Sequence, residues 1–222
     1  MTVRAELWTI ALLLAACSPE GSKAPGASAQ SGDQEERYYG AERFTIVTSV
    51  TAERMTGTKT EHVRDWGRSR VTILKASENW NGKTTEVDFR QIWEGPKVTV
   101  IDNSTGLTTQ EIDPAYSEFV AAVRGKSADA FAAEQMRYPL NAHKTGESDI
   151  IAGQKCDYWA QERVDVKVCM TPWGADLRTS GAKDGANIDS QATEVRIGDG
   201  GPDEAFAYDP SKVQTEPAAP RL

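Results

Sequence analysis

Apolar and polar residues alternate along the first half of the chain. Phe44, Ile46, Thr48 and Val50 share one side of a two-residue period, with Thr45, Val47 and Ser49 between them. That period places successive side chains on opposite faces of a pleated strand, so the segment predicts a strand with one face half-buried. Strand-like stretches follow at 59–65, 68–75, 84–93, 97–103 and 107–112. Turn residues separate them: Trp66-Gly67, Asn79-Trp80-Asn81-Gly82, Gly95-Pro96 and Asn103-Ser104-Thr105-Gly106. Short strands at close spacing predict an antiparallel meander rather than βαβ units.

The period then changes. Tyr116, Phe119, Val120 and Val123 fall at i, i+3, i+4 and i+7, which is one apolar face of a helix. Asp113 is placed as its N-cap, Pro114 as its first residue and Gly125 as its stop. Ser127 heads a second helix through Met136 with Phe131 as its main apolar contact, and Pro139 closes it. Beyond this insert, strands are predicted at 150–163, 164–171, 175–179 and 193–197. His143 falls in a polar loop. Strands, a helical insert and further strands predict an α+β fold: a curved antiparallel sheet with a short helical insert on one side.

Before the first strand the pattern is of another kind. Residues 7–16 form an apolar run behind Arg4, too short to span a bilayer and of the length of a signal-peptide core. The run ends in Leu14-Ala15-Ala16-Cys17, which resembles the bacterial lipobox. The resemblance implies that residues 1–16 are removed and that Cys17 is lipidated. Two or more acyl chains anchor a protein firmly. Ser18 follows the cysteine, and by resemblance to the enterobacterial sorting rule this implies the outer membrane, facing the periplasm. Residues 17–37 are rich in Ser, Gly, Ala and Pro and read as a flexible tether. The folded domain is expected over 38–213, with a loose tail at 214–222.

Composition narrows the partners. The 222 residues carry 25 Lys and Arg against 33 Asp and Glu, a net charge of -8. Such a chain is a poor general partner for nucleic acid or anionic head groups. Three cysteines and two histidines exclude Cys-rich zinc modules. With Cys17 consumed by lipid, Cys156 and Cys169 remain for a disulfide in an oxidising compartment. They are equidistant from the 162–163 junction. A hairpin turning there sets them opposite one another and pairs Trp159 with Val166.

Several segments resemble the half-barrel fold of the lipoprotein carriers LolA and LolB, and an uncharacterised envelope family of the same shape. They are Phe44-Thr45-Ile46-Val47-Thr48 with Arg68 and Arg70 behind it, and Val100-Ile101-Asp102-Asn103 leading to Ile112-Asp113-Pro114. The pair Ile151-Ala152-Gly153-Gln154-Lys155-Cys156-Asp157-Tyr158 and Val168-Cys169-Met170-Thr171 is the most telling. Pro202-Asp203-Glu204-Ala205-Phe206 resembles the closing strand. The resemblance implies a sheet curled around an apolar concavity with helices across it, used by the carriers for acyl chains. The carriers also have an amphipathic helix before the first strand, where this chain has its tether. Only the insert at 113–136 is left to act as a lid.

Catalytic patterns are sparse. Neither His62 nor His143 belongs to a metal-binding spacing, and no nucleophile elbow occurs. Gly82-Lys83-Thr84 and Gly125-Lys126-Ser127 each lack the leading glycine of a phosphate loop. The carboxylates Glu61, Asp65, Glu86, Asp88, Asp149 and Asp157 read as solvated strand edges, and residues 198–204 as a flexible acidic turn rather than a calcium loop. No cofactor, metal or catalysis is expected. Phe119, Val120, Val123, Trp93 and Trp159 are the candidates for an apolar groove under the insert. The expected function is binding of a lipid or acylated protein in that groove. The alternatives are a module that docks another envelope protein and, more weakly supported, a hydrolase of envelope polymers.

Overall fold

Alternating segments pair into one sheet of twelve strands. The computed structural model describes residues 36–127, 130–137, 141–161, 165–183 and 186–214. The signal peptide, Cys17, most of the tether, Pro139, the 162–163 turn and nearly all of the tail lie outside the described residues. The first meander is β1 (Phe44–Ala52), β2 (Met55–Arg64), β3 (Ser69–Trp80), β4 (Lys83–Glu94), β5 (Lys97–Asp102) and β6 (Leu107–Ile112). The helices α1 (Ala115–Val123) and α2 (Phe131–Arg137) follow. The second meander is β7 (Ala142–Ile151), β8 (Gln154–Gln161), β9 (Asp165–Met170), β10 (Asp176–Lys183) and β11 (Ala186–Ile197). The short helix α3 (Asp203–Phe206) and strand β12 (Val213–Gln214) end the chain's described part.

The spatial order is β12-β6-β5-β4-β3-β2-β1-β11-β10-β9-β8-β7. Every pairing is antiparallel except β12 with β6, and β11 against β1 joins the two meanders. The edges β12 and β7 do not pair, so the curved sheet is open. Among the described residues no helix is long and apolar enough to cross a membrane.

Register in the first meander follows from a two-residue turn. Asn81 and Gly82 both adopt positive φ, as a two-residue hairpin requires, and set Trp80 opposite Lys83, Leu74 opposite Phe89 and Arg70 opposite Trp93. The helix α1 starts one residue later than expected, with Pro114 at its N-cap position, and Asp113 just before it accepts the Ala115 N–H at 2.9 Å.

Four other expectations change. Residues 150–163 are two strands, because Ala152 and Gly153 both take positive φ and turn the chain. His143 belongs to β7, whose side chains are nearly all exposed and so show no apolar alternation. The predicted strands at 175–179 and 193–197 are parts of longer ones, β10 and β11. Residues 203–206 form α3 rather than a closing strand.

The acidic turn before α3 is held by a guanidinium. Arg64 donates to the carbonyls of Gly200 (2.9 Å) and Gly201 and pairs with Asp203 at 2.7 Å. The turn lies on His62, so closely that a Cβ on Gly201 would come within 2.3 Å of the imidazole. His62 is buried and its Nδ1 shares a 2.8 Å hydrogen bond with Thr45 Oγ1. Burial lowers the His62 pKa, against the opposing pull of Asp199. The unfolded imidazole titrates near the ordinary value of about 6.5. Between the two values the unfolded chain binds more protons, so this stability is complete above about pH 6.5 and is lost as pH falls through the folded value. His62→Gln is expected to flatten that slope. Urea midpoints of both proteins across that window check it, and parallel profiles contradict it.

Candidate functional site

Strand parity sorts the side chains of β1 to β6 into two faces. Phe44, Val63, Arg70, Trp93 and Val98 form one row across the inner face. Ile46, Glu61, Thr72, Gln91 and Val100 form the next, and Thr48, Lys59, Leu74, Phe89, Asp102 and Leu107 the one after. Val50, Gly57, Ala76 and Val87 follow.

The first row is covered. Tyr38 and Tyr39 cross it as a strap, their N–H groups donating to the Trp66 carbonyl at 2.7 and 3.0 Å. Tyr39 packs edge-on against Phe44, and Tyr38 packs on Phe119 with ring centroids 4.5 Å apart. Arg70, 6% exposed, is sandwiched between the rings of Tyr38 and Trp93, its guanidinium carbon 4.2 Å from each centroid. It donates to the Tyr39 hydroxyl at 3.4 Å, and that hydroxyl donates to Glu61 at 2.8 Å. Burial opposes the Arg70 charge, but Tyr38, Tyr39 and Glu61 outweigh it and the pKa is raised. Burial, then Glu61, pushes the Tyr39 hydroxyl up. Burial and then Glu36 push Tyr116 up to about 12. This end of the face is a closed cation–aromatic cluster.

The sequence candidates fall in three places. Phe119, Val120 and Val123 lie buried together in the main core with Tyr38, Tyr39, Phe44 and Val63. Trp93 lies under Arg70 at the margin of that core. Trp159 is in a separate cluster with Ala132, Met136, Val168 and Met170, and the Lys144 ammonium sits 5.3 Å from its ring centroid. Cys156 and Cys169 form a disulfide, with Cα atoms 5.3 Å apart. They are diagonal rather than opposite: Tyr158 faces Cys169, and Trp159 faces Val168 rather than Val166. Cys17 is outside the described residues.

The third and fourth rows are the part of the face that sequence reasoning missed. Leu74, Val87, Phe89 and Leu107 are half-buried and belong to none of the buried clusters. A shallow cleft crosses the same strands, but Thr56, Lys75, Ser77, Glu86 and Asp88, which line it with Gly57, Ala76 and Val87, carry the parity of the opposite, polar face. The polar side of the same region holds Thr48, Lys59, Glu61 and Asp176. Burial raises the Asp176 pKa, while Lys59 and a 2.7 Å hydrogen bond from Thr179 lower it. The register set by Asn81-Gly82 is the signal that brings Leu74 and Phe89 together. Nothing local brings Asp176 to Lys59.

No protein-family model matches the chain, and no curated protein matches it. An uncharacterised conserved protein from Thermus thermophilus superposes with a TM-score of 0.50 at 8% identity, over 79% of this chain and 91% of that one. The chain has a half-barrel fold, shared with that protein. Its half-barrel is an open twelve-stranded sheet, with α1 and the tyrosine strap laid over one end of the inner face. PNGF-II gives a TM-score of 0.44 at 13% identity, over 80% of this chain and 31% of that one. A domain from Vibrio parahaemolyticus described as outer membrane lipoprotein-sorting gives 0.26 at 8% identity, over 78% and 91%. Likeness at these two levels carries no argument about function.

Proposed function

We propose that this half-barrel is a lipid-anchored protein of the bacterial envelope that binds an apolar ligand, a lipid or an acylated protein, and acts by binding rather than by catalysis. One observation carries the reading. Among the described residues, the helices and the strap cover only part of the inner face, and the half-buried apolar row of Leu74, Phe89 and Leu107 has no covering cluster. Apolar surface gains roughly 25 cal/mol per Å² when removed from water, so an uncovered apolar row in a concave sheet favours an apolar occupant. The lipobox supports an envelope address, with Cys17 as the lipidated residue and the outer membrane as the destination.

Two experiments test this. Cys17→Ala is expected to leave an uncleaved precursor that incorporates no fatty acid; normal maturation with labelling contradicts the anchor. A fluorescent fatty acid is expected to bind the Cys17→Ala chain saturably. Leu74→Asp is expected to weaken that binding at least tenfold while leaving the far-ultraviolet circular dichroism unchanged. Equal binding by both proteins contradicts the site. Docking of another envelope protein is the second reading, favoured by the edge strand β7, which pairs on one side only among the described residues and carries Ile150, 71% exposed.

A further inference from the structure

The inner face is not apolar throughout, and its polar part sits at one end of the open row. Thr48 is 4% exposed, yet its Oγ1 has no hydrogen-bond partner among the described residues. Among the described residues Asp176 Oδ1 is likewise shut from solvent and unpartnered, while the carboxylate accepts a 2.7 Å bond from Thr179 on Oδ2 and another from the Arg178 backbone N–H. Lys59 stands beside Thr48 in the register and is close enough to Asp176 to favour its charge, but makes no ion pair among the described residues. Glu61, one row away, also acts on Asp176. Buried polar atoms are normally satisfied, so two unmade bonds on either side of Lys59 call for a partner. The patch offers both signs of charge. Across the sheet from Lys59 the row becomes apolar at Leu74 and Phe89, with Val87 next to them. Asp102, further along, is turned into its own loop by bonds from the Ser104 and Thr105 N–H groups.

We propose that this face holds a zwitterionic amphiphile, with its ammonium donating to Asp176 and Glu61, its phosphate facing Lys59, and its acyl chain lying along Leu74, Phe89 and Val87. The proposal rests on the apolar-ligand reading and adds the head group. Charge complementarity selects it: a fatty acid brings no donor for Asp176, and an anionic lipid without an ammonium leaves the open Asp176 oxygen unmatched, while Glu61 already holds the Tyr39 hydroxyl. The Thr48 hydroxyl completes the polar end.

The test titrates the Cys17→Ala full chain below micelle-forming concentrations, read by tryptophan fluorescence. The ligands are lysophosphatidylethanolamine, lysophosphatidylglycerol with the same acyl chain, and free phosphoethanolamine. The ethanolamine lipid is expected to bind at least tenfold more tightly than the glycerol lipid, and phosphoethanolamine not to compete. Asp176→Asn is expected to remove that preference, and Lys59→Met to weaken both lipids. Thr48→Val removes one hydroxyl at nearly constant volume and is expected to weaken the ethanolamine lipid alone, which keeps the test open if Asp176→Asn unfolds. Equal affinity for the two lipids, or a preference that survives both Asp176→Asn and Thr48→Val, overturns the head-group assignment and leaves the apolar reading standing. Competition by phosphoethanolamine at lipid-like affinity overturns the amphiphile. If neither lipid binds, both readings fall.

Discussion

Phe119→Ala is expected to lower the unfolding free energy by about 3–5 kcal/mol, the range for truncating a large aromatic in a packed core. Phe119 is 7% exposed and projects from α1 into a cluster that contains Tyr38, Tyr39, Phe44 and Val63. Its ring lies 4.5 Å from that of Tyr38, which in turn covers the Arg70 guanidinium. Truncation therefore removes contacts on both sides of the helix interface and loosens the strap that closes the first row. A lid over exchangeable ligand would lose less, because one side of its contact is replaceable. Urea denaturation of the wild type and the variant decides between them. A loss under about 1.5 kcal/mol, below the span for large-to-small core truncations, would assign α1 to a lid rather than to the core.

Removal of the Cys156–Cys169 bridge is the second large effect. The two cysteines are 13 residues apart in sequence, and both are fully buried in the main core. Cross-linking a loop of that size restricts the unfolded chain by about 3 kcal/mol in the chain-entropy account. The double variant Cys156→Ala, Cys169→Ala is expected to lose about that much, since Ala keeps the site apolar. Equilibrium urea curves of the oxidised protein and the variant measure it. Thiol titration of the unfolded, unreduced mature protein is expected to find neither cysteine free. Two titratable thiols would contradict the bridge in the native protein.

The first meander was legible because each of its strands carries local signals. Asn81-Gly82 can only be a tight turn between alternating segments, and from it the pairing of Leu74 with Phe89 and Arg70 with Trp93 follows by counting. The helix at 115–123 was legible from the spacing of four apolar residues, with its start one residue off because Pro114 rather than Asp113 takes the N-cap position. β7 was not legible, because an edge strand exposed on most positions has no reason to alternate. Its hairpin to β8 was hidden by Ala152, a residue that rarely adopts positive φ. The cysteine pair was legible but its register was not. The counting assumed a symmetric turn at 162–163, whereas the strands are offset so that the bridge runs along a diagonal.

The site was less legible than the fold, for a physical reason. Periodicity reports that Tyr116, Phe119, Val120 and Val123 are buried, not what buries them; the cover proved to be Tyr38 and Tyr39, about 80 residues earlier in the chain. Arg70 and Glu61 look like solvated strand charges until the strap folds over them. Asp176 acquires its setting from Lys59, more than a hundred residues away, through the pairing of β1 with β11 and β11 with β10. Contacts of that kind are made by topology and leave no local pattern.

The central claim is that the open part of the inner face is occupied by an apolar chain. It is tested most directly by native mass spectrometry of the Cys17→Ala full chain purified from bacterial envelopes without detergent. The account predicts a non-covalent adduct with the mass of an acylated molecule, released by organic solvent and lost in Leu74→Asp. A wild-type protein that carries no such adduct, and acquires none when incubated with envelope lipids, would contradict it.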